Sequence, residues 1–495
     1  MGMLARLFGQ KTAVAKPQLR AFDAAAHNRL TSSWLSSTST LDSDLRAGLD
    51  TMRSRSREMV QNNEYAVRFL SMLRANIVGP QGFRLISRVE NTPGKADNLA
   101  NDAIEWAWHD WCKMGVCEVG GRHSFTTSMH SAINTMGQDG EVLIRLWRGA
   151  SARNKFGLAI QLLDPARLDT TLNREQTGTA NAIVMGVEVD GFTRPVGYYL
   201  RKKMGGTERE WVPAADIIHA FLPMGAEQTR GIPMMHAAIR RLHDIGGYRE
   251  AAIIAARIGA SKMGFFSMGA DADPATLPDG YGADGTPYQS AEPGEFGILP
   301  QGFNFQQFDP AYPHEQFADF LKAALKGVAA GLGVSYHGLT QDLTEVSYSS
   351  IRSGTIEERD QWRVLQDWFI GAVVERIYNE WLRLALLNNA ITMPNGSALP
   401  AAKADKFARH TWQARTWEWV DPESEANATV TKIDNHLSTI TTELSRQGID
   451  LEEYLQTRQR EREMFAQYGV TYPGDAPQPD QAAGRAPNTA QIGAQ

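Results

Sequence analysis

Two hydrophobic rhythms alternate along this chain. Ala66, Phe69, Leu70, Leu73 and Ile77 recur at three- and four-residue steps, which predicts a helix over about 53–78 that Gly79-Pro80 closes. A second helix is predicted over about 96–113, with Ile104, Trp108 and Trp111 on one side, and a third from Ser124 to near Gly137. Between Glu141 and Phe221 the period shortens to that of strands, with β-branched or alternating runs at 142–144, 158–163, 183–189 and 196–200. Asp190-Gly191 is the dipeptide of a tight hairpin turn. Helical spacing returns over 234–265, a stretch rich in alanine, and over 315–331, where Phe317, Phe320, Leu321, Ala324, Leu325 and Val328 share a face. Residues 266–312 between them are dense in Gly, Pro and Asp and read as loop.

Residues 333–347 read as a polar loop, and Ser349 or Ser350 can cap the helix that follows. That helix is predicted to run unbroken to Asn388 on a stripe of Ile351, Trp362, Leu365, Phe369, Val373, Ile377, Trp381 and Leu384. At this length it makes a rod of roughly 60 Å. A strand-like stretch over 411–420 carries Trp412, Trp417 and Trp419, which pack in a core or stack on bases. Asp421-Pro422 reads as N-cap and first helical residue of a helix ended by Gly448, with Val430, Ile433, Leu437, Ile440 and Leu444 as its expected buried face. A charged helix from Asp450 to about Tyr468 and a Pro-rich tail follow, and the Ser/Thr-rich residues 1–50 are expected to form a loose arm.

At 495 residues, 42% hydrophobic and 21% charged, the chain has material for about two to four packed units, which excludes wholesale disorder. Lys and Arg number 50 against 56 acids, a formal charge of −6. Proteins that grip nucleic-acid phosphates carry a basic surplus, so any contact with DNA is expected to be local or weak. Cys112 and Cys117 are too few for a disulfide framework or a four-ligand zinc site and read as ordinary thiols. Met1–Phe8 is short and interrupted by Arg6, and no apolar run approaches a membrane span, so a soluble intracellular protein is expected.

Catalytic signatures are missing. Gly259 and Gly264 have the spacing of a phosphate loop, but Phe265 stands where its lysine belongs. Gly331 and Gly333 follow a helix rather than a strand, which disfavours a dinucleotide loop. Ser335 lies in a Gly-x-Ser-x-His run with no preceding strand, so it is no nucleophile elbow. His123, His130, His219, His236 and His243 lack metal-ligand spacing. No catalytic residue, metal or cofactor is therefore expected.

Charge, by contrast, is segregated. The 234–265 helix carries Arg240, Arg241, Arg249, Arg257 and Lys262 against Asp244 and Glu250. Residues 263–321 contain no Lys or Arg, and their acids include Asp271, Asp273, Asp279, Asp284, Glu292 and Glu295. This is either a solvated acidic loop or an acidic surface that meets a basic partner or repels phosphate.

Taken in order, several segments resemble the lambda-like family of tailed-phage portal proteins, over about residues 45–470. They are Arg53-x-Arg55-x-Arg57, Asn62-Asn63-x-Tyr65-Ala66, Asn76-Ile77-Val78-Gly79-Pro80, Gly140 to Arg145, Gln161 to Leu168 and Arg230-Gly231-Ile232-Pro233. Glu292-Pro293-Gly294 with Leu299-Pro300, Ala329 to Val334, and Tyr348 to Arg352 extend the likeness. Ile351 departs from it, standing where the family more often has alanine.

The resemblance implies an α+β, mainly helical portal fold in a ring of twelve around a DNA channel, with no enzymatic activity. It implies a wing over 51–233, a stem helix over 234–265, a clip over 266–312 and a second stem helix over 313–335. A tunnel loop over 336–347, a long wing helix with strand return over 348–420, crown helices over 421–471 and a tail from 472 complete it. DNA-facing residues in the tunnel loop would be His337, Gln341, Asp342, Thr344 and Glu345. Arg240, Arg241, Arg249, Arg257, Lys262, Lys322 and Lys326 of the stem would either touch DNA transiently or pair with acids across subunits, the latter being favoured.

The acidic clip would dock the large subunit of the packaging motor (the terminase) and later the head-tail adaptor. Further implied partners are scaffold and major capsid protein, with double-stranded DNA held non-specifically and no membrane. Twelve copies at −6 carry −72 in all (12 × −6), which repels duplex and suits a conduit. Two other functions compete: a nuclease-ATPase of the packaging motor, which needs the missing phosphate loop, and a sequence-specific DNA-binding module, which needs a basic recognition face.

Overall fold

A computed structural model describes residues 39–178, 180–260, 264–268, 280–281, 287–288, 303–307, 316–344, 347–417, 422–447 and 449–472. Asn63 breaks the first helical segment in two: α1 spans Leu41–Asn62 and α2 spans Glu64–Leu73. The Asn63 side chain accepts the backbone N–H groups of Tyr65 (3.0 Å) and Ala66 (3.2 Å), so the Asn-Asn-x-Tyr-Ala motif is an N-cap. The boundary drawn at residue 50 thus falls inside a helix. Leu41, Leu45 and Leu49, four apart, pack α1 against Met185, a signal the Ser/Thr-rich composition obscured. Helix α2 continues as a π-turn over Arg74–Val78 and stops at Gly79, whose φ of 71° suits glycine.

Strands β1 (Arg84–Ser87), β2 (Glu90–Thr92) and β3 (Lys95–Ala96) precede α3 (Asn98–Trp111) and α4 (Phe125–Asp139), the latter starting after Ser124, which caps it. Next come β4 (Glu141–Arg148), β5 (Leu158–Leu163), β6 (Ala182–Val184), β7 (Val187–Val189), β8 (Pro195–Arg201), β9 (Arg209–Pro213) and β10 (Ile217–Phe221). They form an antiparallel sheet ordered β10-β4-β5 and a meander ordered β6-β7-β8-β9. The predicted 183–189 strand is two strands, because Met185 and Gly186 both take positive φ and turn the chain back. The loop at Asp190 is longer than a two-residue turn: the Asp190 carboxylate accepts Phe192 N and Arg194 N, both at 2.9 Å.

Helix α5 covers Ile239–Ala260, shorter at both ends than predicted, and Phe265 belongs to β11 (Gly264–Met268), which pairs with β14 (Phe303–Gln307). Short strands β12 (Gly280–Tyr281) and β13 (Pro287–Tyr288) pair between them, so 266–312 is not wholly loop. Helices α6 (Phe317–Leu332), α7 (Tyr336–Thr340) and α8 (Tyr348–Phe369) follow, with Ser347 rather than Ser349 or Ser350 as the α8 cap. The single predicted rod is α8, a π-turn at Ile370–Val374 and α9 (Glu375–Leu387). A short α10 (Ala404–Phe407) leads to β15 (His410–Gln413), which pairs antiparallel with β1 across the chain.

The main core gathers the helices around Trp108. Its ring lies 4.9 Å from Trp111, 5.0 Å from Trp381 and 5.3 Å from Tyr378. Strand β4 joins two cores: Val142, Ile144 and Leu146 face the main one, while Leu143 packs with Leu163, Tyr198 and Val212 in a second. The expected buried face of the C-terminal helix is corrected. That segment is α11 (Pro422–Asp434) and α12 (Ile440–Arg446), followed by α13 (Leu451–Gln467). His436 at φ 59° ends the first, Thr439 caps the second, and Val430, Leu437 and Ile440 are 57%, 79% and 54% exposed.

One buried carboxylate ties this framework together. Glu141, at the head of β4, accepts Arg53 Nη2 of α1 at 2.9 Å, Arg230 Nη2 at 2.5 Å and His219 Nε2 of β10 at 3.0 Å. It also accepts the backbone N–H of Gly231 at 2.9 Å. Arg57 forks onto Asp139 at 2.7 and 2.8 Å and reaches Asp164 at 2.6 Å. Beside this, two glycines cross backbone to backbone: a Cβ on Gly140 would lie 2.1 Å from the Ile232 carbonyl carbon, and one on Gly231 2.1 Å from the Gly140 oxygen. Segments up to 178 residues apart in sequence, Arg53 to Arg230 with Gly231 included, thus meet at one carboxylate immediately before α5.

Burial pushes the Glu141 carboxyl up, but Arg230, Arg53 and His219 together outweigh it and hold the group well below its ordinary 4.5. Its contribution to stability is therefore complete above about pH 4.5 and is lost as pH falls toward the depressed native value. Glu141→Ala strands two buried guanidiniums and should cost about 3–5 kcal/mol. Urea unfolding should show a lowered midpoint and a weaker acid dependence than the parent; an unchanged midpoint contradicts this role.

Candidate functional site

The stem candidates come from an α5–α6 pair joined through small residues. A Cβ on Gly327 would sit 2.2 Å from Arg241 Nη1, so the guanidinium lies directly over that glycine. Gly331 faces Ala237 in ordinary contact. Tyr248 of α5 stacks on Phe317 at 5.5 Å and meets Phe320 edge-on at 5.1 Å. Arg249 pairs within the chain with Glu64 of α2, which raises the arginine and lowers the carboxylate. Arg240 is 96% exposed, with Asp244 at 4.0 Å one turn away. Arg257 and Lys326 are exposed, and Lys262 lies outside the described residues.

The sequence expected a plain polar loop after α6, and the structure builds a hydrogen-bonded one. Gly333 ends α6 in the left-handed conformation at φ 67°. The Ser335 hydroxyl accepts Gly338 N at 3.0 Å, capping α7, and donates to Glu358 of α8 at 2.7 Å. Arg68 of α2 donates to Gly338 O at 3.0 Å, so the loop is fastened on both flanks. Gln341 takes the left-handed conformation at φ 59° and is exposed.

His337 Nδ1 lies 2.7 Å from Asp342 O, and the Asp342 carboxylate accepts Thr344 Oγ1 at 2.6 Å, Thr344 N at 3.0 Å and Tyr336 OH at 3.0 Å. The Thr344 hydroxyl, the Thr344 N–H and Tyr336 hold Asp342 down to about 2, with Lys322 adding a smaller pull. Asp342 therefore stays ionised throughout the physiological range. The structure thus brings His337, Asp342, Thr344 and Lys322 together beside Gln341, whereas Glu345 lies outside the described residues. The clip candidates Asp271, Asp273, Asp279, Asp284, Glu292 and Glu295 also lie outside them.

The Ser335–Glu358 and Arg68–Gly338 bonds that position this loop were not foreseen. They join residues 23 and 270 apart, and no local pattern reports such pairing. Replacing Asp342 with Ala removes three hydrogen bonds at the tip without touching the core. Amide exchange at Thr344 should quicken about tenfold or more while the global unfolding midpoint moves little, since a bond of this kind contributes about 1 kcal/mol. Unchanged exchange contradicts the ordering role.

Known proteins share this sequence over most of its length. A profile for "Phage portal protein, lambda family" matches residues 27–366. The chain is 34% identical over 466 residues to the "Probable portal protein" of Halomonas phage phiHAP-1, covering 92% of this chain and 88% of that protein. It is 23% identical over 470 residues to "Portal protein B" of Escherichia phage lambda, covering 87% and 86%. A solved structure described as "Neck of empty GTA particle computed with C6 symmetry" aligns at TM-score 0.44 and 14% identity, over 81% of this chain and 94% of that one. No helix among the described residues is long and apolar enough to cross a membrane. The chain belongs to the lambda family of phage portal proteins, a structural rather than enzymatic family.

Proposed function

We propose that twelve copies of this chain form the ring at the unique vertex of a phage capsid, through which double-stranded DNA is packaged and later ejected. The family match over residues 27–366, with a probable portal protein 34% identical across 92% of the chain, carries this reading. In it, α5 and α6 are the stem, the 266–312 segment is the clip, and the 336–347 loop faces the passing duplex. The wing is 51–233 with 348–420, but its helix α1 starts earlier, at Leu41. The C-terminal helices form the crown.

A conduit must hold DNA in line without gripping it. The loop tip has the chemistry for this, because it offers an ionised Asp342 and a neutral Gln341, supported from α2 and α8. It so presents DNA with a negative charge in each subunit. Phosphate contacts are what make protein–DNA binding tight and salt-dependent, and this tip avoids them. Arg240, Arg241, Arg257 and Lys326 are left to pair across subunits or to touch DNA briefly, since Arg249 already has Glu64. The large terminase subunit and the adaptor would dock at the clip, with scaffold and major capsid protein meeting the ring during assembly in the host cytoplasm.

A charge reversal tests the conduit. Gln341→Lys with Asp342→Lys should leave ring mass unchanged and tighten binding of a short duplex about tenfold or more at low salt. The amount of DNA packaged should fall in a complementation assay. Intact rings that package normally with the lysine loop contradict the proposed role of the tip.

A further inference from the structure

The motif Asn76-Ile77-Val78-Gly79-Pro80 has a role that the channel does not use. Asn76 lies in the π-turn at Arg74–Val78; its amide nitrogen donates to Met72 O at 3.0 Å and its side-chain oxygen accepts both Arg415 Nη1 and Trp417 Nε1 at 3.0 Å. Gln366 of α8, buried, donates to Asn76 O at 2.7 Å and to Arg415 O at 3.1 Å. Gly79 completes the fit, because a Cβ there would lie 2.8 Å from Arg415 Cβ. The motif therefore presents one guanidinium and one indole in fixed orientation.

Around that indole the guanidiniums crowd. Arg363, Arg415 and Arg359 lie 5.7, 5.7 and 6.0 Å from the Trp417 ring centroid. Arg363 and Arg415 stand at a cleft of about 370 Å³ between the β1–β15 ladder, α8 and the α12–α13 junction, which Arg88 and Arg446 also line. Carboxylates answer part of this charge: Asp360 pairs with Arg363, Asp450 with Arg88 and Glu443 with Arg446. Arg415 has only neutral partners among the described residues, Ala75 O and the Asn76 amide. Burial and then neighbouring Arg359 push its pKa down.

From this geometry we infer that the cleft is a phosphate-binding site, in which Arg415 and Arg363 take the phosphate oxygens beside the Trp417 ring. Planar guanidiniums match phosphate in paired hydrogen bonds, and an adjacent indole suits a nucleotide backbone or the edge of a base. Two sources can supply the phosphate, the backbone of duplex DNA or free inorganic phosphate. The DNA source rests on the portal reading, whereas the phosphate chemistry does not.

The test uses the full chain and its variants Arg363→Gln, Arg415→Gln and both together, each checked for unchanged native mass. Anisotropy of a labelled duplex of about 30 bp, titrated between about 50 and 200 mM salt, reports backbone contacts, each worth a slope of about 0.9. Inorganic phosphate, titrated against tryptophan emission, reports the free anion. If DNA is the source, the double variant should bind duplex about fivefold or more weakly, with a slope shallower by about 1–2. If free phosphate is the source, it should change emission in the parent and not in the variant, with duplex binding unaltered.

Variants that match the parent in duplex affinity and slope, together with a parent that does not respond to phosphate, overturn the site. Should Arg415→Gln fail to fold, Arg363→Gln alone decides, because that side chain is 55% exposed and bonded only to Asp360 one turn away among the described contacts. A parent that never forms a ring would count against the portal reading while the phosphate titration still judges the cleft.

Discussion

A fully buried carboxylate surrounded by cations is costly to build, and the fold of this chain is organised around one. Glu141 would be strongly unfavourable in the interior alone, so its presence requires Arg53, Arg230, His219 and the Gly231 N–H to converge on it. That requirement fixes α1, β4, β10 and the approach to α5 relative to one another. The backbone crossing of Gly140 and Gly231 adds a steric lock, since neither position has room for a side chain. The chain that leads into α5 leaves this junction from a defined point.

The second organising feature is the contrast between where charge is neutralised and where it is left. Around α1, cations are met by carboxylates with short, forked geometry, as in Arg57 on Asp139 and Asp164. On the described part of the loop after α6, the Asp342 carboxylate spends its hydrogen bonds on the loop itself. At the cleft beside Trp417, Arg415 meets neutral oxygens among the described residues.

What the sequence made legible follows from the range of the interactions. Helices α3 and α6 were readable because Trp108 or Val328 and their neighbours repeat at helical spacing and bury on one side. The two-strand nature of 182–189 was hidden because Met185-Gly186 does not advertise a turn, although both residues adopt positive φ. The Val430–Leu444 stripe looked like a buried face, yet a single chain leaves much of it exposed, since periodicity reports apolar spacing and not what covers it. Arg53, Glu141 and Arg230 stood out as parts of ordered motifs, but their meeting was invisible because the partners are 88 and 89 residues apart. The same holds for Asn76 with Arg415, separated by 339 positions.

Closure of this chain into a ring around DNA is the claim on which the rest turns, and native mass spectrometry of the purified full-length protein tests it most directly. A closed assembly near twelve times 54.7 kDa is the predicted result. A protein that stays monomeric even when mixed with its scaffold and capsid proteins would contradict it.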